Sequence, residues 1–124
     1  MATEAEQAWA AGIFEGEGTI VIFGPTKRQR SLSVSMTDED VIRRFAAVVG
    51  VGKIYGPYGY ANGKSRRREH HKQYWRWTAA TKHSVLAAAQ MFLPWMGQRR
   101  AQKLNEAIEA VKQLRVRVGW SECE

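Results

Sequence analysis

Between Ser31 and Met36 the chain alternates strictly: Ser31, Ser33 and Ser35 point one way, and Leu32, Val34 and Met36 the other. A period of two is the mark of a β-strand. The apolar row must be covered, while a row of hydroxyls faces water or a polar partner at little cost. The strand therefore belongs to a sheet that is covered on one face only. Such sheets are antiparallel, because parallel sheets carry helices on both faces. That single stretch excludes an all-helical bundle and a doubly covered parallel sheet.

The flanking sequence supplies the rest of the sheet and its cover. Thr3 and Glu6 have the spacing of a capping box, and Ala5, Ala8, Trp9, Gly12 and Ile13 recur at helical spacing behind it. The face they form is mostly small, so another backbone fits closely against it. Glu15-Gly16-Glu17-Gly18 ends that helix, and the β-branched run Thr19 to Phe23 opens a strand. Gly24-Pro25 and the basic loop Lys27-Arg28-Gln29-Arg30 turn the chain into the alternating strand. Thr37 with Asp40 predicts the cap of a second helix, with Val41, Ile42, Phe45 and Val48 or Val49 inward and Gly50 and Gly52 at its end. A third strand is expected over about 53–60 and a fourth over about 73–79, where Tyr74, Arg76 and Thr78 oppose Trp75 and Trp77. Between them runs a loop with Arg66-Arg67-Arg68. A helix carrying Val85, Leu86, Ala89, Phe92 and Leu93 stops at Pro94. A last helix turns Leu104, Ala107, Ile108, Val111 and Leu114 inward, with Arg99, Arg100, Lys103 and Lys112 outward. The order αββαββαα predicts an α+β fold: one four-stranded antiparallel sheet with helices on one face. A chain of 124 residues holds one domain, expected over 1–120 with a short tail at 121–124.

The chain carries 19 Lys and Arg against 12 Asp and Glu, a formal charge of +7. On so small a protein this favours a polyanionic partner, nucleic acid first and an anionic membrane surface second. The charge is unevenly laid out. Residues 1–20 hold four acids and no Lys or Arg, whereas residues 53–82 hold eight bases and one acid. The uncovered sheet face would carry Ser31, Ser33, Ser35, Lys53, Tyr55, Tyr74, Arg76 and Thr78. It is flanked by the basic loops with Lys27, Arg28 and Arg30 on one side and Arg66, Arg67, Arg68 and Lys72 on the other. A polar, basic, uncovered sheet face suits a nucleic-acid saddle. The lone cysteine, Cys123, excludes a disulfide framework. The longest uncharged run, Ser84 to Gln98, is interrupted by Pro94 and too short to span a bilayer. No basic-then-apolar leader opens the chain. The expectation is a protein that is neither secreted nor membrane-bound, located in the cytoplasm of a bacterial or phage host or in an organelle.

Glu15 and Glu17 close the first helix at its negative end, where carboxylates are electrostatically misplaced by about 0.3–1 kcal/mol each. A bound divalent cation reverses that sign, since hard cations prefer carboxylate and carbonyl oxygens. Gly16 and Gly18 leave room for a ligand against the backbone. One carboxylate is a poor site alone, but nucleic-acid phosphates add ligands, and metal-assisted phosphodiester hydrolysis follows as the candidate chemistry.

The segment Ala10-Ala11-Gly12-Ile13-Phe14-Glu15-Gly16-Glu17-Gly18, followed by Thr19-Ile20, resembles the signature of the LAGLIDADG homing endonucleases. So do Leu32–Met36 with Thr37, Val49-Gly50-Val51-Gly52-Lys53-Ile54, and Phe92-Leu93-Pro94 before Gln98-Arg99-Arg100, so that the similarity covers nearly the whole chain. The resemblance implies an αββαββα saddle and a site-specific double-stranded DNA endonuclease of a mobile element such as an intron, leaving short 3′ overhangs. It implies Mg²⁺ as the metal, with Mn²⁺ as a substitute and Ca²⁺ as a non-catalytic one, and no small-molecule cofactor. Carried over by position, Glu17 is the metal-binding acid beside Gly16, a Glu where Asp is more usual. Asp38 falls at a water-ordering position and Arg99 near a charge-stabilising base; both would join Glu17 in catalysis. Only one motif copy is present. Members with one copy work as homodimers, joined here through Ala8, Trp9, Ala11 and Gly12 on a pseudo-palindromic site. A non-catalytic alternative of the same fold is an intron RNA maturase or a DNA-binding regulator.

Overall fold

The computed structural model describes residues 2–23, 29–59 and 72–117, with side chains as far as 112. Helix α1 (Glu4–Glu17) leads into β1 (Gly18–Phe23) and β2 (Gln29–Met36). Then come α2 (Glu39–Val49), β3 (Lys53–Tyr58) and β4 (Tyr74–Ala79). The last described elements are α3 (Lys82–Phe92), one 3-10 turn (Leu93–Trp95) and α4 (Gln98–Arg117). The four strands form one antiparallel sheet in the order β1-β2-β4-β3. The expected α+β architecture is therefore the observed one, and the sequence also holds the turn around Pro94 that separates α3 from α4.

The caps follow the local chemistry with one exception. Thr3 and Glu6 make the reciprocal bonds of a capping box, and Thr81 and Ser84 do the same for α3. At α2 the N-cap is Asp38 rather than Thr37, and its carboxylate makes no capping bond. Asp40 instead accepts from Val41 N–H within the first turn. An acid at a helix start that is not tied to the backbone stays available for other work.

The alternation in β2 is realised as expected. Leu32 and Val34 are buried under the helices, with Trp77 and Ala79 of β4 beside them. The centre of the core is aromatic. Phe14 stacks on Phe92 at 4.6 Å between ring centres. Phe45 meets Trp77 edge-on at 5.0 Å and Phe92 at 5.9 Å. These rings bring α1, α2, α3 and β4 to one point. Trp77 is anchored further: its indole N–H donates to Val51 O at 2.9 Å. Gly52, at φ +88°, lets the turn before β3 lie on that indole, where a Cβ would stand 2.5 Å from Nε1. Trp77→Phe keeps an aromatic ring but loses the bond to Val51 and part of the volume. It is expected to cost about 1–2 kcal/mol, read as a lower urea midpoint; an unchanged midpoint would show that the indole is no anchor.

Candidate catalytic cleft and nucleic-acid interface

The acidic turn is built by α1 running to Glu17 and stopping on Gly18, whose N–H bonds Phe14 O. Gly18 is required by space rather than by dihedral angle. A Cβ there would stand 2.5 Å from Phe14 Cδ1 and 2.6 Å from Phe14 O. The negative end of the helix is then answered by α4. Arg100 donates from Nη1 to Gly18 O at 2.6 Å, with its guanidinium 5.8 Å from the Phe14 ring. Glu15 accepts from Gly97 N–H at 3.0 Å, just before α4 begins. The helical spacing of α4 predicts Arg100 outward. It returns to the acidic turn because the carbonyls of a last helical turn have no intrahelical donors. Glu17 is exposed and, among the described residues, has no hydrogen-bond or ion-pair partner.

Glu17 faces an open cleft of about 610 Å³ that it shares with Asp38, Thr37, Ser35, Tyr74 and Arg76. The two carboxylates reach it from different directions, Glu17 from the end of α1 and Asp38 from the start of α2. Arg76 lies on its floor, donating from Nε to Ser35 Oγ at 3.2 Å, with the Tyr58 and Tyr74 ring centres 5.8 and 5.9 Å from its charge. Among the described residues no three or more His, Cys, Asp or Glu gather into a metal site. The donor set nevertheless suits a hard cation that takes one or two carboxylates and fills its remaining positions with water and phosphate oxygens. Gly16 adds no side chain, but as part of the last helical turn it offers a carbonyl of the same kind.

The cleft opens onto the uncovered sheet face. Rows across the sheet run Thr19, Ser33, Thr78, Lys53 and then Ser35, Arg76, Tyr55. Further out Val21 pairs with Ser31 and Phe23 with Gln29, while Tyr58 pairs with Tyr74 at the other end. All the strand residues expected on this face are there. Of the residues expected in the flanking loops, Arg30 falls instead within β2. Arg30 has the parity of Leu32 and Val34, lies opposite Ile22, and so turns to the helix side. Burial lowers its pKa from the ordinary arginine value. Lys72 is exposed just before β4. Lys27, Arg28, Arg66, Arg67 and Arg68 lie outside the described residues. Thr19, Val21 and Phe23 also belong to the open face, and the sequence conceals them. Thr19-Ile20-Val21-Ile22-Phe23 is apolar on both faces, so no alternation shows which side is covered.

Three further expectations change. Arg99 does not line the cleft with Glu17 and Asp38. It lines a separate depression of about 560 Å³ with Arg100, Lys103 and Thr19, on the β1 side of the acidic turn. Ala11 is fully buried in the core of its own chain, because at three residues beyond Ala8 it is rotated inward. Trp9 is half-buried and turned toward α2, where the Arg44 guanidinium lies 4.0 Å from its ring centre. The accessible small face of α1 instead joins Ala8, Gly12 and Gly16, and a Cβ added at either glycine would meet nothing within 4 Å.

No family model matches the chain, and no curated protein is significantly similar to it. Solved structures are. I-GzeII, a LAGLIDADG homing endonuclease in complex with its DNA target, matches at a TM-score of 0.66 and 14% identity, over 89% of this chain and 36% of that one. The fold is that of the LAGLIDADG homing endonucleases. The LAGLIDADG meganuclease I-CpaMI, bound to uncleaved DNA, matches at 0.64 and 13% identity, over 93% of this chain and 38% of that one. The homing endonuclease I-CvuI, in complex with the I-CreI target in the presence of Mg with the DNA not cleaved, matches at 0.62 and 17% identity, over 90% and 68%. This chain thus spans a little over a third of the length of two LAGLIDADG proteins and about two thirds of the length of a third.

Proposed function

We propose that the protein is a site-specific, divalent-metal-dependent double-stranded DNA endonuclease that acts as a homodimer. One observation carries the proposal: the exposed Glu17, unpartnered among the described residues, and the uncapped Asp38 line one cleft at the edge of a polar sheet face that bears Lys53 and Arg76. A structural acid would be tied into a cap or an ion pair. Glu17, at the negative pole of α1, is a cost to the free protein, and a bound cation removes that cost.

Within the cleft Glu17 and Asp38 would hold the cation, with the Gly16 carbonyl as a further oxygen donor. The bound metal supplies Lewis-acid stabilisation of the phosphate and a more acidic water. Arg76, positioned by Ser35 and the two tyrosines, presents its guanidinium to the DNA beside the cleft. Arg99, from its depression on the far side of the turn, meets phosphate without reaching the metal. Lys53, Tyr55, Tyr74 and Thr78, with the serines of β2, face the major groove, where side chains distinguish all four base pairs. The exposed stripe Ala8, Gly12, Gly16 lets a second α1 approach closely, which sets two clefts about one axis and favours a pseudo-palindromic site; short 3′ overhangs are what the resemblance to homing endonucleases implies. The likeness in fold to DNA-bound homing endonucleases and the net charge of +7 support the same reading.

The test is incubation with a randomised duplex library in Mg²⁺, in Ca²⁺ and in chelator, with the mass of the complex measured in parallel. Cleavage is expected in Mg²⁺ only, with two chains per duplex. Sequence-specific binding without cleavage in any metal would establish the non-catalytic DNA-binding alternative, a regulator. Absence of duplex binding would overturn both the endonuclease and the regulator and leave only the RNA maturase.

A further inference from the structure

We propose that the open face reads its half-site in two chemically distinct parts, with guanine near the cleft and an A·T pair about six base pairs farther out. The inference rests on the proposed function, because it takes the open face to lie in a major groove. Its basis is the distribution of side chains along β2 and its neighbours. Next to the cleft the exposed row is Ser35, Arg76 and Tyr55, and Lys53 follows one row on. Arginine and lysine in a major groove pair best with guanine O6 and N7. The far end has a different chemistry. Phe23 and Gln29 face each other directly across β1 and β2, with Val21 two residues inward. Phe23 is 57% exposed there, on a face that, Val21 apart, is lined mainly by hydroxyls and charge.

A phenyl ring and a carboxamide side by side match one base pair. The apolar feature of the major groove is the thymine methyl group, and a glutamine amide pairs with adenine N6 and N7. Both lie on the same edge of an A·T pair. Cross-strand side chains stand about 5 Å apart, which is within the width of that edge. A G·C pair offers the phenyl ring no methyl and sets polar groups against it, which leaves them unsatisfied. The spacing follows from the backbone. Gln29 and Ser35 are six residues apart on one strand, or about 20 Å, close to the rise of six base pairs at about 3.4 Å each.

The experiment is selection of binding sites from a random duplex pool in Ca²⁺ by the parent protein, Phe23→Ser, Gln29→Ala and Arg76→Ala. Arg76→Ala is expected to lose a guanine preference near the centre of the site. Phe23→Ser and Gln29→Ala should keep it and lose an A·T preference about six base pairs outward. Replacing the outer thymine with uracil removes only the methyl group. It should weaken parent binding about fivefold and leave Phe23→Ser unaffected. Both outer side chains are exposed, so thermal melting of these two variants should equal that of the parent. A parent that selects a central guanine but shows no outer A·T preference, or is indifferent to uracil, overturns the inference and leaves the proposed function standing. A parent that selects no sequence overturns both.

Discussion

Glu17→Gln is expected to lower the rate of DNA cleavage in Mg²⁺ by about a thousandfold while leaving binding in Ca²⁺ within a few-fold of the parent. The amide keeps the length and shape of the side chain and removes its charge. Glu17 is exposed and, among the described residues, unpartnered, so no stabilising bond is lost. The effect on stability has the opposite sign. Glu17 ends α1, whose last turn has no basic residue, and its carboxylate faces the negative pole of the helix. Neutralising it should raise stability by about 0.3–1 kcal/mol. Loss of activity combined with an equal or higher melting temperature marks a residue kept for chemistry at the expense of the fold. Cleavage that survived in Glu17→Gln would remove the carboxylate from the mechanism. A melting temperature that fell would show that Glu17 has a structural partner.

What the sequence makes legible, and what it hides, divides along physical lines. Periodicity exposes β2 and β4 because each has one apolar and one polar face, and it places Ser33, Ser35, Arg76 and Thr78 correctly. It fails for β1, whose residues are apolar on both faces, so the outward placement of Val21 and Phe23 needs the register with β2. Arg30 is misplaced for a related reason. Its basic neighbours suggest a loop, whereas β2 begins at Gln29 and the period of two then turns Arg30 toward the helices. The acidic turn is visible in Glu15-Gly16-Glu17-Gly18, but its supports come from 82 residues away in Gly97 and Arg100. A helical wheel of α4 carries no information about the Gly18 carbonyl where α1 gives way to β1, and Arg100 therefore reads as solvent-facing. The company of Glu17 is hidden in the same way. Asp38 and Arg76 meet it only when α2 and β4 are in place, and Arg99, next to Arg100 in sequence, falls on the other flank.

Gly18→Ala should show how far the chemistry depends on that packing. One added methyl would sit 2.5 Å from the Phe14 ring edge and 2.6 Å from the Phe14 carbonyl oxygen. The ring has no room to yield, because Phe92 stacks on it at 4.6 Å and the Arg100 guanidinium lies 5.8 Å away. The carbonyl oxygen belongs to the helix itself. The strain must therefore be relieved by moving the 17–18 junction away from α1, which lengthens the bond from Arg100 to Gly18 O and displaces Glu17. Overpacking of this kind costs about 2–3 kcal/mol, measured as a lower urea midpoint. A displacement of about 1 Å at a metal-binding carboxylate is worth about a hundredfold in rate, with binding in Ca²⁺ changed far less because the sheet face is untouched. The two effects share one cause, so relieving it should restore both. Phe14→Leu clears the ring from the space that the methyl needs, and in combination with Gly18→Ala it should cost less than the sum of the single changes. Additive losses would locate the damage in the carbonyl contact, which Phe14→Leu leaves in place. Normal cleavage by Gly18→Ala alone would show that the position of Glu17 is not fixed by this turn.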